Sequence, residues 1–240
     1  MNKIKLYIND VLSSFGYQLR KAPFSKRQIA SGHFKWLQEL DIQTILDVGA
    51  NEGQFLSKAS RIFPDAYFYA FEPLKKSFTK LQKNNSANKK ITLFNFALGD
   101  EEKDSIINRN DYSPSSSLLP LTDLHKEAFP MTENVVGEKI QIRLLDNIAS
   151  HLNLNKKILL KIDVQGYELN VLRGAERTLK AVDVILTETS FFELYKNQPL
   201  FDDMYTFLSQ RGFQYFGSLE QLYDARDGRI LQADSIFIRK

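Results

Sequence analysis

The chain of 240 residues contains no cysteine, three histidines and one tryptophan. Without cysteine, the protein can form neither disulfides nor thiolate zinc sites, and it has no thiol nucleophile. The histidines, His33, His125 and His151, stand far apart in the sequence and give no support to a histidine-rich metal site. Long apolar runs are also missing, because none approaches the roughly 18 residues of a membrane span.

Positive and negative charges nearly balance, since 32 Lys and Arg residues stand against 29 Asp and Glu residues and give a net charge of +3. So small an excess predicts no strong field for nucleic acid, and we expect no nucleic-acid partner. A hydrophobic content of 43% is ordinary for a globular chain with one sizeable core. We predict a main domain at residues 36–240, preceded by an N-terminal helical extension at residues 1–35.

The first 20 residues place apolar side chains at helical spacing: Ile4, Ile8, Val11, Leu12 and Phe15. Asn9 and Asp10 interrupt this pattern, so the segment does not read as a signal peptide. We expect the apolar face to cap its own domain or to form a homodimer. The alternative is a helix on a membrane surface, since Lys3 and Lys5 flank that face. The absence of an export signal predicts a cytoplasmic protein.

The stretch Thr44–Phe55, TILDVGANEGQF, predicts a buried strand, a tight turn with Gly49 and Gly53, and the start of a helix. Glycines let the backbone approach a ligand closely, and a helix start offers unpaired N–H groups. A second apolar run, Ala66–Phe71, ends at Glu72, about 20 residues further on. A carboxylate at that place suits a ribose diol, because it can accept both hydroxyl protons.

This turn differs from the dinucleotide fingerprint G-x-G-x-x-G. Asn51 holds the central position, and Glu52 carries a negative charge that would repel a pyrophosphate. S-adenosylmethionine has a ribose, an adenine, a sulfonium and an amino group but no phosphate, so it fits such a turn better. A plain strand–turn–helix connection is the alternative for the glycines alone, and Glu72 favours the nucleoside site.

Strand and helix patterns alternate along the rest of the chain, which predicts a parallel sheet with helices on both faces. We predict further strands at Ile91–Leu98, Lys139–Leu145, Ile158–Val164, Val182–Leu186, Phe213–Phe216 and Ser235–Ile238. We predict helices at His33–Leu40, Gln54–Phe63, Leu74–Asn85, Tyr167–Lys180 and Met204–Gln210. Residues 101–145 interrupt the alternation and predict an insertion over one end of the sheet, which would supply a partner for the strand at Lys139–Leu145.

Ligands of such sheets bind outside the carboxyl ends of the strands. Four acids stand at or just past predicted strand ends: Asp47, Glu72, Asp163 and Glu188. Four acids at one edge are unusual as core residues because buried charges need partners, although any one of them could cap a helix instead. Asp163 is the most anomalous, since it lies in KIDVQG within a strongly apolar strand.

Five motifs cover roughly residues 40 to 240: ILDVGANEGQF, FEP at residues 71–73, ALGD at residues 97–100, LLKIDVQGYELNVLRGAE at residues 159–176, and DSIFIRK at residues 234–240. Together they resemble the FkbM family of S-adenosylmethionine-dependent methyltransferases. The most specific part is KIDVQG-x-E followed by L-x-G-A-E. The stretch SSSLLP also resembles a Ser-Ser-Leu element of the family's insertion.

The resemblance implies an α/β, Rossmann-like class I methyltransferase fold, with a mostly parallel sheet of seven strands whose last strand runs antiparallel. It also implies methylation of a hydroxyl, and we expect a sugar hydroxyl of a bacterial glycan or glycolipid precursor. A polyketide-like natural product is an alternative acceptor. A cofactor-binding module without activity is a second alternative. A dehydrogenase is a third, against which the missing third glycine argues.

The resemblance further implies roles for individual residues. The methionine side of the cofactor would be lined by Asp47, Gly49, Asn51 and Gly53, the ribose hydroxyls would be held by Glu72, and the adenine would lie near Asn95 and Ala97. Asp163 would face the transferring methyl and Glu188 would border the acceptor. Glu168, which begins the next helix, would be structural.

A sugar hydroxyl is a poor nucleophile at neutral pH, so we expect Asp163 and Glu188 to act as general base and partner. Alternatively they could jointly hold a divalent cation. We favour the metal-free version because two carboxylates do not complete a coordination shell. Aromatic side chains expected near the same edge could stack on a sugar or serve in packing: Tyr112, Phe191, Phe192 and Tyr195.

Overall fold

The computed structural model describes residues 37, 39–110, 115–132 and 134–240. The chain divides into two units, Met1–Glu39 and Leu40–Lys240, and all the strands described below belong to the second unit. The predicted N-terminal extension, five of the eight residues of the helix predicted at His33–Leu40, and Tyr112 lie outside the described residues, so the dimer and membrane-surface expectations stay predictions. Among the residues that are described, no helix has the length and apolar content needed to cross a membrane.

A seven-stranded sheet forms the centre of the second unit. Its strands are β1 (Thr44–Val48), β2 (Tyr67–Phe71), β3 (Ile91–Phe94), β7 (Ile158–Ile162), β8 (Val182–Ser190), β9 (Phe213–Tyr223) and β10 (Ile230–Arg239). They lie in the order β3-β2-β1-β7-β8-β10-β9. The pairs from β3 to β8 are parallel, and β10 runs antiparallel to both β8 and β9. The predicted α/β sheet with its antiparallel last strand is therefore confirmed.

Six α-helices connect or flank the strands in the described residues: α1 (Gln54–Ile62), α2 (Lys75–Asn85), α3 (Asp123–Ala128), α4 (Leu145–Ala149), α5 (Glu168–Arg173) and α6 (Phe201–Ser209). The helix predicted at Tyr167–Lys180 is wrong in length, because α5 stops at Gly174 and a short 3₁₀ turn, Thr178–Ala181, follows. Gly174 packs so closely on the chain after Leu98 that a Cβ there would meet the Gly99 carbonyl oxygen at 1.8 Å.

A second, three-stranded sheet takes most of its residues from the predicted insertion. It consists of β4 (Ala97–Leu98), β5 (Lys103–Asn110) and β6 (Val135–Arg143), in the order β4-β6-β5. The strand predicted at Lys139–Leu145 is confirmed as part of β6, which pairs antiparallel with β5 as expected. The single strand predicted at Ile91–Leu98 is wrong, because the chain leaves the main sheet at Asn95. The Asn95 side chain holds that departure by donating from Nδ2 to the carbonyl oxygens of Glu72 and Pro73.

The core of the main sheet fixes the strand ends in place. Every residue of β1 and β7 is buried, as expected for strands covered by helices on both faces. The rings of Phe71 and Phe94 stack with their centroids 4.9 Å apart, at the last residues of β2 and β3. Side chains that follow these ends therefore project from a rigid edge.

Candidate functional site

The four predicted acids lie at neighbouring strand ends. β2, β1, β7 and β8 are adjacent in the sheet, and their carboxyl ends carry Glu72, Asp47, Asp163 and Glu188 in that order. Backbone pairing continues past the strands, since the Asp163 N–H donates to the Val48 carbonyl at 3.0 Å. Adjacent strands are about 4.8 Å apart, so the row extends over about 15 Å from the first acid to the last.

The turn after β1 forms a backbone cradle. Gly49, Asn51 and Gly53 all have left-handed backbone conformations, with φ values of 80°, 49° and 96°. A Cβ at Gly49 would lie 1.9 Å from the Asp163 carbonyl oxygen, so a residue with any side chain would push this turn away from β7. The Glu52 carboxylate forms an ion pair with Lys80 Nζ at 2.6 Å, which reduces the repulsion predicted from its charge.

Glu72 is tied to this cradle by backbone N–H groups. Its Oε2 accepts from the Asn51 N–H at 2.9 Å, and its Oε1 accepts from the Leu74 N–H at 2.8 Å. Burial raises the pKa of Glu72 to about 7, although these two hydrogen bonds act to lower it. Each carboxylate oxygen can accept more than one hydrogen bond, so ribose hydroxyls can still be accommodated.

The structure separates the two residues expected near the adenine. Asn95 lies beside Glu72, where its amide donates to the Glu72 carbonyl at 2.9 Å. Asn95 also lines an open groove of about 500 Å³ between the ends of β2 and β3 and the second sheet. Ala97 is buried in β4 and packs with Ile107 and Ile142 in the core of the second sheet. The side chain of Asn95 therefore faces the expected cofactor region, whereas that of Ala97 faces another core.

Asp47 is the most isolated polar group of the edge. Its side chain is fully buried, and neither carboxylate oxygen has a hydrogen-bond partner within the part of the chain that the structure describes. Lys161 Nζ lies 3.4 Å from Oδ1, an ion pair without good hydrogen-bond geometry. Burial raises the pKa of Asp47, and Lys161 opposes that rise. A buried carboxylate with unused acceptor capacity beside a glycine cradle suits a ligand that brings a cationic N–H group.

Lys161 joins the two halves of the edge. Its Nζ lies 3.4 Å from the nearest oxygens of Asp47 and Asp163, and it donates to the Gly49 carbonyl at 3.3 Å. Burial alone would lower the pKa of Lys161, but the two carboxylates raise it above its ordinary value. No role was assigned to Lys161 from the sequence. A lysine inside a fully buried strand was the available signal.

Asp163 and Glu188 are linked by a glutamine that sequence reasoning also missed. Gln165 Nε2 donates to Asp163 Oδ1 at 2.8 Å and to Glu188 Oε2 at 3.0 Å. The Tyr195 hydroxyl donates to Gln165 Oε1 at 2.7 Å. The space between the two acids therefore holds an N–H donor, which does not suit a bound cation. Within the described ranges, no group of three or more His, Cys, Asp or Glu side chains could hold a metal ion.

The two linked acids differ in access. The Asp163 side chain is 42% exposed, so a substrate can reach it. Burial raises the pKa of Glu188 well above its ordinary value, and the nearby carboxylates of Asp163, Glu168 and Asp234 raise it further. Glu188 Oε2 also accepts from Gln232 Nε2 at 2.8 Å. Asp163 is therefore the member of the pair that a molecule from solution can reach, and Glu188 lies behind it.

Glu168 holds the loop between β7 and α5. Its Oε1 accepts from the N–H groups of Val164 and Gly166, at 3.0 and 3.2 Å. Burial raises the pKa of Glu168 to about 7. These contacts are those of the structural residue that the sequence predicted, and they brace the loop that carries Gln165.

The aromatic side chains behave differently from one another. Tyr195 is fully buried, so it serves in packing and cannot stack on a sugar. Phe191 and Phe192 are 39% and 37% exposed and remain available to a ligand. Tyr112 lies outside the described residues.

Comparison with a family model gives a match that spans this whole edge. The model described as the methyltransferase FkbM domain matches residues 47–215. The matched region begins at Asp47 and includes Glu72, Asp163 and Glu188, together with the insertion between β3 and β7.

Individual relatives are distant. The chain is 28% identical over 203 residues to the 2-O-methyltransferase NoeI of Sinorhizobium fredii, which covers 78% of this chain and 79% of that protein. It is 28% identical over 148 residues to Methyltransferase 1 of Beauveria bassiana, which covers 57% of this chain and 59% of that protein.

Among solved structures, the crystal structure of methyltransferase FkbM from Methylobacillus flagellatus KT superposes with a TM-score of 0.52 at 15% sequence identity. The match covers 82% of this chain but 44% of that one, so this chain spans less than half of the solved relative. At that identity the likeness concerns the fold.

Proposed function

Because the chain belongs to the methyltransferase FkbM family, we propose that it transfers a methyl group from S-adenosylmethionine to a hydroxyl of a sugar. The observation that carries the proposal is the pairing of two unlike acids on adjacent strands. Asp47 is buried beside the glycine cradle with unused acceptor capacity, and Asp163 on the next strand is open to solvent. The first suits a cofactor with a cationic amino group, and the second suits an acceptor.

The residues of the cofactor half would hold S-adenosylmethionine along the strand ends. Asp47 would accept from its amino group, the backbone at Gly49 and Gly53 would lie against the methionine portion, and Glu72 would accept from the ribose hydroxyls. The groove beside Asn95 lies next to Glu72, on the side away from Asp163, which is where an adenine would follow the ribose. When bound, S-adenosylmethionine supplies a methyl group activated by its sulfonium.

Asp163 would orient the acceptor hydroxyl and take its proton as the new carbon–oxygen bond forms. Lys161 Nζ, 3.4 Å from Asp163 Oδ2, provides a positive charge beside that carboxylate. The exposed side chain of Asp163 can pass the proton to water afterwards. Glu188 acts from behind, by accepting a hydrogen bond from the same Gln165 amide that donates to Asp163.

Two observations support a sugar as the acceptor. The rhizobial relative bears the name of a 2-O-methyltransferase, which is consistent with transfer to oxygen. The predicted insertion is rich in Ser, Thr, Asn and Asp, whose side chains can hydrogen-bond to a polyhydroxylated molecule.

The proposal can be tested by following a labelled methyl group. The purified full chain is incubated with S-adenosylmethionine labelled in its methyl group and with fractions of glycans, glycolipids and other small molecules from the source organism. We expect label in a glycan or glycolipid fraction, and after acid hydrolysis in an O-methylated sugar. Label in an aromatic or polyketide-like product would replace the sugar by the alternative acceptor. Binding of S-adenosylhomocysteine without any labelled product would favour a module without activity.

A further inference from the structure

Gln165 is the point at which four parts of the fold meet. Its Nε2 contacts Asp163 at the end of β7 and Glu188 in β8, at 2.8 and 3.0 Å. Its Oε1 receives the Tyr195 hydroxyl, and its carbonyl oxygen receives the Ser117 hydroxyl from the insertion at 2.5 Å. Strand ends, the insertion and the loop after β8 thus all contact one residue, the insertion through the backbone of Gln165 and the others through its side chain.

The orientation of the Gln165 amide follows from its partners. Gln165 Nε2 faces Asp163 and Glu188 and donates to both, and a carboxylate that is ionised can only accept a hydrogen bond. The Tyr195 hydroxyl can donate and therefore takes Oε1. Turning the amide over would place Oε1 against two acids. Tyr195 is fully buried, so it holds this orientation firmly.

The Gln165 backbone is also held in an uncommon conformation. Its φ is 56°, in the left-handed region that residues with a long side chain seldom occupy. The Ser117 hydroxyl on its carbonyl and the Glu168 carboxylate on the next N–H, that of Gly166, brace this conformation. Conformations of this kind persist where the surroundings determine them, and they cluster at functional sites. The hydrogen bond from Ser117 to the Gln165 carbonyl also gives a physical role to the third serine of the SSSLLP stretch.

The neighbourhood explains why a neutral double donor is needed there. Asp163 and Glu188 share one NH₂ group, so their carboxylates are close and repel each other. The other ionisable groups that act on this pair are Asp47 on β1, Lys161 on β7, Glu168 on α5, Tyr195 in the loop after β8 and Asp234 on β10. Because this group contains one cation and several acids, we infer that the Gln165 amide separates the two carboxylates and fixes their orientations.

We propose that Gln165 is a positioning residue for methyl transfer, which holds Asp163 against Glu188 so that one oxygen of Asp163 is turned to the acceptor. Asp163 Oδ1 accepts the hydrogen bond from the Gln165 amide, and Oδ2 lies towards Lys161 and the cofactor cradle. The inference rests on the proposed function for its catalytic meaning, but the link between the two acids is measurable without any acceptor.

The experiment compares Gln165→Ala and Gln165→Glu with the matched variant Gln232→Ala in the full chain. Gln232 donates to the same oxygen of Glu188 at 2.8 Å and, among the described residues, forms no hydrogen bond with Asp163. Three quantities are measured: the titration of the Asp163 and Glu188 carboxyl carbons by NMR, the rate of labelled methyl transfer, and the affinity for S-adenosylhomocysteine. Thermal melting checks that each variant is folded.

We expect Gln165→Ala to shift the titration midpoints of both acids and to lower kcat by about 10- to 100-fold, with affinity for S-adenosylhomocysteine within about twofold of wild type. Gln232→Ala should shift Glu188 alone. Glutamate donates a hydrogen bond only when protonated, so Gln165→Glu should approach the wild-type rate at acidic pH and fall away from it as the pH rises. A purely structural role would not produce this pH dependence.

The proposal is overturned if Gln165→Ala leaves the Asp163 titration and the rate unchanged, or if Gln232→Ala shifts Asp163 as strongly. If the wild-type protein methylates nothing, the proposed function fails, while the NMR titration still decides whether Gln165 couples the two acids. If Gln165→Ala does not fold, Tyr195→Phe replaces it, because it removes the hydroxyl that orients the amide and keeps the buried ring. The same shifts are then expected, at smaller size, and their absence contradicts the proposal.

Discussion

The two halves of the carboxyl edge hold their acids by different means. On the side of β2, Glu72 is held by backbone N–H groups, those of Asn51 and Leu74. On the side of β7 and β8, Asp163 and Glu188 are held by the side chain of Gln165. Glu72 therefore needs only the strand–turn–helix backbone, whereas Asp163 and Glu188 need particular side chains.

This difference suggests how one fold can keep its cofactor and change its acceptor. The backbone contacts of Glu72 do not depend on the residues around them, provided that the turn keeps its shape. The contacts of Asp163 depend on Gln165, and through it on Ser117 of the insertion and Tyr195 of the loop after β8. Substitutions in the second half can therefore alter the acceptor site without disturbing the first half.

The largest effect is expected from removing the acid that faces the acceptor. Asp163→Asn keeps the size of the side chain but removes its capacity to take a proton. General-base assistance contributes about 10²–10⁴ in rate, so we expect turnover to fall on that scale. The measurement is the initial rate of labelled methyl transfer to the acceptor fraction. Full turnover in this variant would remove Asp163 as the base and make Glu188 the candidate.

The next effect concerns the cradle. Gly49→Ala would place a Cβ 1.9 Å from the Asp163 carbonyl oxygen at a φ of 80°, and we expect the free energy of unfolding to fall by about 3 kcal/mol or more. Gly174→Ala is the matched control, since its Cβ would meet the Gly99 carbonyl at 1.8 Å, away from the edge. Gly174 has no left-handed conformation that alanine would strain, so Gly174→Ala should lower the free energy of unfolding by about 1–3 kcal/mol.

Denaturant unfolding measures both losses, and calorimetry then separates the two sites. In the folded fraction, Gly49→Ala should lose affinity for S-adenosylhomocysteine and Gly174→Ala should keep it. Equal affinities in the two variants would show that the turn is not a cofactor cradle.

A smaller, pH-dependent effect is expected in the second half. His125 is buried, packs edge-on against Tyr195 with ring centroids 5.0 Å apart, and has no hydrogen-bond partner for either ring nitrogen among the described residues. Burial lowers its pKa from 6.5 to about 4. Between these values the unfolded chain binds more protons than the folded chain, so stability falls as the pH falls from 6.5 towards 4.

His125→Leu removes this proton linkage. From pH 8 to pH 5 we expect the wild-type protein to lose about 2 kcal/mol more unfolding free energy than the variant. Denaturant unfolding of both proteins at both pH values gives this difference. Subtracting the result for the variant from that for the wild type cancels the contributions of Glu72 and Glu168, which have the opposite sign. His151 lies exposed on the surface, and His151→Asn should behave like wild type. A wild-type protein with the same acid sensitivity as His125→Leu would contradict the buried, neutral imidazole.

The sequence allowed the first half to be predicted almost completely. The order of strand, glycine turn and helix, with Glu72 at the second strand end, depends on local patterns that physical rules connect to structure. Even so, the unpaired state of Asp47 and its ion pair with Lys161 were not foreseen, because they depend on the register between β1 and β7.

The second half could be predicted only in part. Asp163 and Glu188 were recognisable as acids at strand ends, but Gln165, Gln232 and Tyr195 come together from separate parts of the chain. No local pattern reports a contact between β8 and the antiparallel β10, such as that of Gln232 with Glu188. Likewise β5 was hidden in a polar stretch, because most of its side chains lie at or near the surface and give no apolar alternation.

The most direct test of the division between the two halves needs no acceptor. S-adenosylhomocysteine is titrated calorimetrically into wild type, Glu72→Ala and Asp163→Asn, with NAD as the control ligand. We predict that Glu72→Ala weakens binding by about 1–3 kcal/mol, since the ribose hydroxyls lose their acceptor, that Asp163→Asn changes affinity by less than about twofold, and that NAD does not bind. Equal losses in the two variants, or a loss in Asp163→Asn alone, would contradict the assignment of cofactor and acceptor to separate halves of the edge.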